Sequence, residues 1–374
     1  HRVKVMSNFS TLTEMAAIAR KKLNKGDWDY LIGAADTETS LRRNRAGLDS
    51  WAFLPRILTD VSNVEYGTEL LDQRLRIPVI LPPIGSIQAF TDSGAIDVAR
   101  AAAEFGTLQI LSSSCSPDFE TVAREVQGPR IYQLYLTGDE SWMDSQIERA
   151  INSGYRGFCL TADTQVYSRR ERDIIKGYLP QQAREAMEAN GGQTMADQGA
   201  FNYQSTMTWE TVRHIKGKFD IPLVVKGVMS PTDAKHCVEA GVDVIYVSNH
   251  GGRQLDHSIA CIDALPDVVK AVDGRCPVLV DGGFMRGADV VKALCLGASA
   301  VGVGRLEALA VAAGGREGLV SALRILEREI GITMALLGAA TLKDLHPGLL
   351  RRQEGATAHQ YLSAFPFLDE EYFK

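Results

Sequence analysis

Residues 248–256 read SNHGGRQLD, which packs a histidine, two glycines and an arginine into one short segment. Imidazole is the side chain whose ordinary pKa lies nearest neutrality, so His250 suits proton transfer. Arg253, three residues on, offers a planar fork of donors that matches a carboxylate. A neighbouring aspartate would fix the imidazole tautomer and raise its basicity. Asp163, in LTADTQVYSRRERD (residues 160–173), is the candidate. The same run holds Arg169, Arg170 and Arg172, which either form a solvated face or send one guanidinium inward. A second group is glycine-rich: Asp281-Gly282-Gly283 and Gly302-Val303-Gly304-Arg305. Glycine lets backbone N–H groups approach an anion, and Arg305 adds a fork, so these turns suit a phosphate. Two tight turns beside a solvated arginine are the plainer reading.

Metal chemistry has no comparable signal. No histidine stands at ligand spacing from a cysteine or another histidine, and His214, His236, His257, His346 and His359 have no companion. The six cysteines are scattered with no C-x-x-C and read as reduced thiols.

These residues need elements to position them. Short apolar, β-branched runs recur at 76–81, 108–112, 131–136, 157–162, 221–226, 244–248, 277–280 and 298–303, each fit for a strand buried on both faces. Helical segments fall at 94–105, 119–126, 141–152, 208–216, 231–240, 261–272 and 287–296. EFGTLQIL, NSGYRGFCL, EAGVDVIYV and CLGASAVGV each put a glycine between helix and strand, where a left-handed C-terminus fits. Such alternation predicts an α/β fold with a parallel sheet, closed as a (β/α)8 TIM barrel. An open doubly wound sheet is the alternative, although no G-x-G-x-x-G opens a helix after the first strand.

Barrel enzymes work at the C-terminal ends of their strands. The predicted strands end in Ser112, Gln133 with Tyr135, Thr161 with Asp163, Lys226, Ser248 with Asn249 and His250, Asp281, and Gly304 with Arg305. Nearly every strand thus delivers a polar group to one rim, which a purely structural barrel would not need.

A single domain over residues 1–374 is expected, with the barrel core at about 76–330. Residues 8–70 form an N-terminal helical extension with a helix at 11–23, and a lid at about 174–206 follows strand four, polar over 181–205. With 40 Lys and Arg against 46 Asp and Glu, the net charge of −6 argues against nucleic acid or an anionic membrane as partner. No apolar run spans a bilayer and the first residues show no secretion signal, so a cytoplasmic protein is expected.

Six strings, DYLIGAADTETSLRRNR, YQLY, LTADT, VVKGV, VSNHGGRQLD and LVDGG, stand in order between about residues 11 and 345. Together they resemble the FMN-dependent L-2-hydroxy-acid oxidase and dehydrogenase family, whose members oxidise glycolate, lactate or mandelate. The resemblance implies His250 as base, Asp163 as its orienting partner and Tyr135 as the residue bonded to the substrate hydroxyl. It implies Tyr30, Arg170 and Arg253 as the clamp on the substrate carboxylate. FMN is the implied cofactor. Pro83, Ile84 and Gly85 would flank its ring, and Ser112, Gln133, Thr161 and Ser248 would contact it. Lys226 would lie beside its N1–C2=O edge, and Asp281, Gly283, Gly304 and Arg305 would hold the ribityl and phosphate. The implied reaction takes an L-2-hydroxy acid to the 2-oxo acid, with FMN reoxidised by O2 to give hydrogen peroxide. The alternatives are a dehydrogenase passing electrons to a quinone or cytochrome, and a barrel that binds FMN or a phosphate metabolite without catalysis. A homo-oligomer, tetramer or octamer, is implied as well.

The chain departs from the family pattern at four places. Met285 stands where an arginine is usual after DGG, and Arg286 beside it is expected to point elsewhere, so FMN would be held less firmly. Leu306 replaces the proline of Gly-Arg-Pro. Gly85 stands where many members have alanine, and Ser114 where many have an aromatic residue. A larger substrate pocket is expected from the last two, unless Tyr178, Phe201 or Tyr203 fills it.

Overall fold

The computed structural model describes residues 9–179, 203–355 and 360–369. Eight parallel strands form the barrel: β1 Val79–Ile80, β2 Gln109–Ser112, β3 Arg130–Leu134, β4 Gly157–Thr161, β5 Leu223–Val228, β6 Val244–Val247, β7 Val278–Val280 and β8 Ala300–Gly302. The sheet runs β1-β8-β7-β6-β5-β4-β3-β2, and a parallel bridge between Leu81 and Gln109 joins its two ends. This is the (β/α)8 barrel expected from the alternation of strand and helix.

The strand alternation sorts each side chain. Ile80, Ile110, Ile131, Cys159, Val224, Tyr246, Leu279 and Ala300 point inward and pack on one another. Their intervening neighbours, such as Leu111, Phe158, Val225 and Val247, face the surrounding helices. Leu70 and Leu75, from the hairpin Thr68–Leu70 and Gln73–Leu75, join the inner cluster. Full burial of a Val, Leu or Ile stabilises by roughly 1.5–3 kcal/mol, so this apolar layer is a firm base. Two residues further along the same parity come Ser112, Gln133, Thr161, Lys226, Ser248 and Asp281, all buried.

Some boundaries moved. β1 is shorter than the run at 76–81 because Pro78 has no N–H for the ladder. β5 extends past Lys226 through a register shift between Lys226 and Val228. Gly227 sits there at φ +114°, and an added Cβ would come within 2.7 Å of the Asp163 Cβ. The N-terminal extension has three helices, Leu12–Lys22, Lys25–Ile32 and Thr39–Asp49, where the sequence pattern pointed only to the first. That first helix opens on a capping box between Thr11 and Glu14. After β8 a helical segment runs from Gly304 to Leu336, broken at Gly314 and Gly315, and the sequence reading placed no helix there. Most of the expected lid lies outside the described residues, Phe201 included. Helix Glu171–Lys176 and the turn Tyr203–Thr206 flank that segment. No helix among the described residues is long and apolar enough to cross a membrane.

Candidate active site

A cavity of 660 Å³ opens at the C-terminal end of the barrel. Tyr30, Gly85, Ser114, Tyr135, His250 and Arg253 are on its wall, with Lys226, Asp281, Gly283 and Arg305. Pro83 and Ile84, which follow β1, and Gly304, which follows β8, also line it.

His250 comes from the short turn His250–Gly252, with its backbone in the left-handed region at φ +58°. That conformation is unfavourable for a residue with a Cβ. The turn is held by His250 N–H donating to Ser248 Oγ at 3.1 Å and Gly252 N–H donating to Asn249 Oδ1 at 3.0 Å. The strained backbone aims the imidazole across the barrel mouth. Its Nδ1 lies 3.0 Å from Asp163 Oδ1, and its Nε2 lies 3.4 Å from the Tyr135 hydroxyl. The carboxylate makes Nδ1 the protonated nitrogen and leaves the Nε2 lone pair facing Tyr135 and the cavity. Burial pushes the His250 pKa below its ordinary value; Asp163 opposes that, and Lys226 and Arg170 add to it. Burial would raise the Asp163 carboxyl, but His250 and Lys226 reverse this and keep it below the usual range. Desolvation pushes the Tyr135 phenol well up, so it stays protonated. The group therefore combines a neutral imidazole with an ionised aspartate.

Lys226 is buried, donates to Ser248 Oγ at 2.9 Å and lies 3.5 Å from Asp281 Oδ2. Burial works against its charge, yet Asp281 and Asp163 hold its pKa above the ordinary value. Ser112, Gln133, Thr161 and Ser248 share its inward layer but do not line the cavity themselves. Both polar atoms of the Gln133 side chain, Thr161 Oγ1 and Asp281 Oδ1 are buried without a hydrogen-bond partner among the described residues. Buried polar atoms are rarely left so. Of the four, Asp281 Oδ1 belongs to a residue on the cavity wall, and the Gln133 and Thr161 atoms belong to the same inward layer.

Arg170, Arg253 and Arg305 converge on the same mouth. None of the three makes an ion pair among the described residues. Of the basic run after β4, Arg170 is the inward one, stacked 4.8 Å above the Tyr167 ring with Nε unpartnered. Arg169 is exposed, and Arg172 is taken up by Glu38 at 2.6 Å and Asp29 at 3.2 Å. Arg253 lies 4.9 Å over the Tyr30 ring and donates to the carbonyls of Tyr30 and Gly33 at 2.7 and 2.8 Å. Arg305 donates to the carbonyls of Gly251 and Gly33 at 2.9 and 2.7 Å. Burial, then the charge of Arg253, pushes the Arg305 pKa down to about 9. Arg253 is likewise lowered, by burial and then by Arg170. Asp173 on the cavity wall opposes Arg253 and Arg170 without an ion pair to either among the described residues, and three crowded guanidiniums against this one carboxylate make a site for anions.

The departures from the family pattern are visible as geometry. Met285 is buried on the cavity wall. Arg286 turns away, with Nε 3.1 Å from Glu329 Oε2 and Nη1 donating to the Ala364 carbonyl at 3.0 Å. A Cβ on Gly85 would lie 3.5 Å from the Ser114 Cβ, so the two small residues face each other on one wall. Sequence reasoning missed Gln204, which accepts from Leu136 N–H at 2.6 Å and donates to Thr161 O and Thr164 Oγ1, each at 2.8 Å. It also missed Asn44 and Arg45. Gln204 lies in a segment without strand periodicity, and Asn44 and Arg45 close the string DYLIGAADTETSLRRNR, to which the resemblance attached a role only at Tyr30.

Residues 19–352 match the model of a family described as FMN-dependent dehydrogenase. Glycolate oxidase 1 of Zea mays is 36% identical over 371 residues, covering 96% of this chain and 99% of that protein. An L-lactate oxidase from a Nostoc species is 36% identical, covering 91% of this chain and 97% of its own. A mandelate oxidase solved with (S)-2-phenylpropionate aligns with a TM-score of 0.84 at 34% identity, covering 94% of this chain and all of that one. A soluble mutant of the membrane-associated (S)-mandelate dehydrogenase from Pseudomonas putida aligns with a TM-score of 0.85 at 32% identity, covering 92% of this chain and 100% of that one.

Proposed function

The chain belongs to the FMN-dependent dehydrogenase family, and from that premise we propose that it oxidises an L-2-hydroxy acid to the 2-oxo acid, with O2 as the final electron acceptor and hydrogen peroxide as the by-product. The residues of the barrel mouth fit FMN. Asp281 on the cavity wall has a buried unpartnered oxygen, Gln133 and Thr161 have unpartnered atoms in the same inward layer, Lys226 is held as a cation, and Gly283, Gly304 and Arg305 stand at the turns after β7 and β8. When bound, FMN supplies the two-electron acceptor that no side chain here can provide.

The observation that supports the reading best is His250, neutral and bonded to Asp163, facing a cavity that also holds unpaired arginines. Arg170 and Arg253 bind the substrate carboxylate, with Tyr30 packed beneath Arg253. Tyr135 donates to or accepts from the substrate hydroxyl and stays protonated throughout. His250 takes one proton from the substrate at Nε2, and Asp163 stabilises the resulting imidazolium. Lys226 offsets negative charge that develops deeper in the mouth during electron transfer. Ser112 and Ser248 complete the polar layer, and Pro83, Ile84 and Gly85 form the wall after β1.

Relatives that are named oxidases favour O2 as acceptor. The likeness to a membrane-associated mandelate dehydrogenase favours the second reading, in which a quinone or cytochrome takes the electrons. Anaerobic stopped-flow mixing with glycolate, lactate and mandelate tests the first half: the visible absorbance of the oxidised flavin should bleach with at least one acid. Mixing the reduced protein with O2 then separates the acceptors. Reoxidation fast enough to sustain turnover supports the oxidase, and slow reoxidation that a quinone accelerates supports the dehydrogenase.

A further inference from the structure

Helix Thr39–Asp49 lies outside the barrel, yet it touches both glycine-bearing turns of the site. A Cβ on Gly252 would come within 2.6 Å of the Leu41 nitrogen, and one on Gly283 within 3.2 Å of the Asn44 Cβ. Two consecutive residues of this helix, both buried, reach past these glycines into the turns.

Asn44 pairs with Asn249, the residue between Ser248 and His250. Asn44 Nδ2 donates to Asn249 Oδ1 at 2.8 Å, and Asn249 Nδ2 donates to Asn44 Oδ1 at 2.9 Å. Neither amide can turn over. Asn44 Oδ1 also accepts the Cys261 N–H at 3.1 Å, and Asn249 Oδ1 also accepts the Gly252 N–H at 3.0 Å. A flip of either would set an NH2 against an N–H. The Asn249 amide closes the turn that keeps His250 in its left-handed conformation, and Asn44 fixes the Asn249 amide.

Arg45 works on the other turn. It donates to the Gly283 carbonyl at 3.0 Å and grips Asp289 through both terminal nitrogens, each at 2.7 Å. Asp289 in turn accepts the N–H groups of Met285 and Arg286, both at 3.0 Å. The 283–286 backbone is therefore tied on both sides to one buried ion pair.

We propose that Asn44 and Arg45 are positioning residues through which this helix sets the His250 turn and the Gly283 turn separately, Asn44 acting on the rate and Arg45 on the hold of FMN. The inference rests on the base and cofactor assignments above. Partners one layer behind metal ligands typically contribute about 10- to 100-fold, and we take the same order for groups one layer behind a base or a cofactor.

The test uses the full-length, FMN-loaded protein and its Asn44→Ala, Arg45→Lys, His250→Ala and Asn44→Ala/His250→Ala variants. Flavin reduction is followed anaerobically, and FMN affinity by recovery of flavin fluorescence on dissociation. Asn44→Ala should lower the reduction rate per bound FMN by about 10- to 100-fold, with KM for the hydroxy acid and the FMN Kd within about threefold of wild type. Arg45→Lys should raise the FMN Kd by about tenfold or more. With His250 already removed, Asn44→Ala should cost less than about threefold further, because its effect runs through that side chain. Equal losses with and without His250, or the same pattern from both helix variants, would overturn the proposal as a general loss of structure. If His250→Ala alone reduces its flavin at the wild-type rate, the base assignment falls and this inference with it. Should Asn44→Ala fail to fold, Asn44→Ser keeps an acceptor for Cys261 N–H and takes its place; failure of both makes Asn44 a stability residue and ends the proposal.

Discussion

Replacing Asp163 by asparagine isolates the electrostatic part of base catalysis. The oxygen that faces His250 Nδ1 at 3.0 Å is kept, as is the shape enclosed by Gly227, and only the charge is lost. In the resting protein His250 is neutral, so the interaction between charges exists only once the imidazole has taken a proton. It therefore counts almost wholly toward the transition state. Unit charges ~4 Å apart at an effective dielectric near 20 attract by ~4 kcal/mol. The amide dipole retains a part, leaving ~3 kcal/mol, or about 10²-fold in rate. Asp163→Asn should thus slow anaerobic flavin reduction about 100-fold, less than His250→Ala, which removes the base and is expected to cost up to about 10⁴-fold. FMN affinity should be unchanged, because Asp163 is not placed on the cofactor. A loss of less than about fivefold would refute the reasoning, since the pair would then contribute no more than an exposed salt bridge.

Activity should fall on the acid side as His250 becomes protonated, and in kcat/KM this limb should lie below the ordinary 6.5. A bound carboxylate offsets the Arg170 charge that depresses His250, so the limb in kcat should move to higher pH; coincident limbs would remove Arg170 from the surroundings of the base. Arg253→Lys should weaken kcat/KM by roughly 10- to 100-fold, mainly through KM, because one ammonium can satisfy the Tyr30 and Gly33 carbonyls but cannot also form a fork. FMN should be lost in part on dialysis of the wild-type protein, and Met285→Arg should reduce that loss, measured as the ratio of flavin to protein absorbance. Ser114→Trp should shift kcat/KM from mandelate or a long-chain acid toward glycolate or lactate, since the Ser114 wall opposite Gly85 would be filled; a wild-type preference for the small acids would end that expectation.

The parts of this site that could be read from the sequence are those with a period. Ile131, Gln133 and Tyr135 differ by two, as do Cys159, Thr161 and Asp163, or Tyr246, Ser248 and His250. A strand that buries the first of each set must aim the others toward the mouth. Glycine turns after β7 and β8 were legible for the same reason, because their address follows from counting strands. Asn44 and Arg45 were not. The helix that bears them has a polar face turned into the protein, against the usual amphipathic pattern, and its buried residues include Ser40, Asn44 and Arg45. Their partners are more than 200 residues away, at Asn249 and Asp289. Only the closed barrel brings them into contact.

Charge shows the same division between composition and place. A net charge of −6 set aside polyanionic partners, yet the barrel mouth gathers Arg170, Arg253, Arg305 and Lys226 with few carboxylates to answer them. Most acidic residues nearby are already committed: Glu38 and Asp29 to Arg172, Asp163 to His250, Asp281 to Lys226 and Asp289 to Arg45, which leaves Asp173 on the cavity wall as the carboxylate that opposes Arg253 and Arg170. Each of these pairs removes a counterion that would otherwise quench the mouth. Arg172, which is equally prominent in the sequence, is neutralised at the rim, while Arg170, two residues earlier, is buried without one. Burial first, and then the charge of Arg253, lowers the Arg305 guanidinium to about 9, against the pull of Glu38 and Asp281. A carboxylate or phosphate entering the mouth relieves that repulsion, so anion binding here should raise thermal stability as well as occupy the site. Binding of oxalate, a planar dicarboxylate with no oxidisable carbon–hydrogen bond, should therefore raise the melting temperature of the wild-type protein and do so less in Arg253→Lys. No shift in either protein would show that the arginines are balanced by other means and would remove the electrostatic basis for the carboxylate clamp.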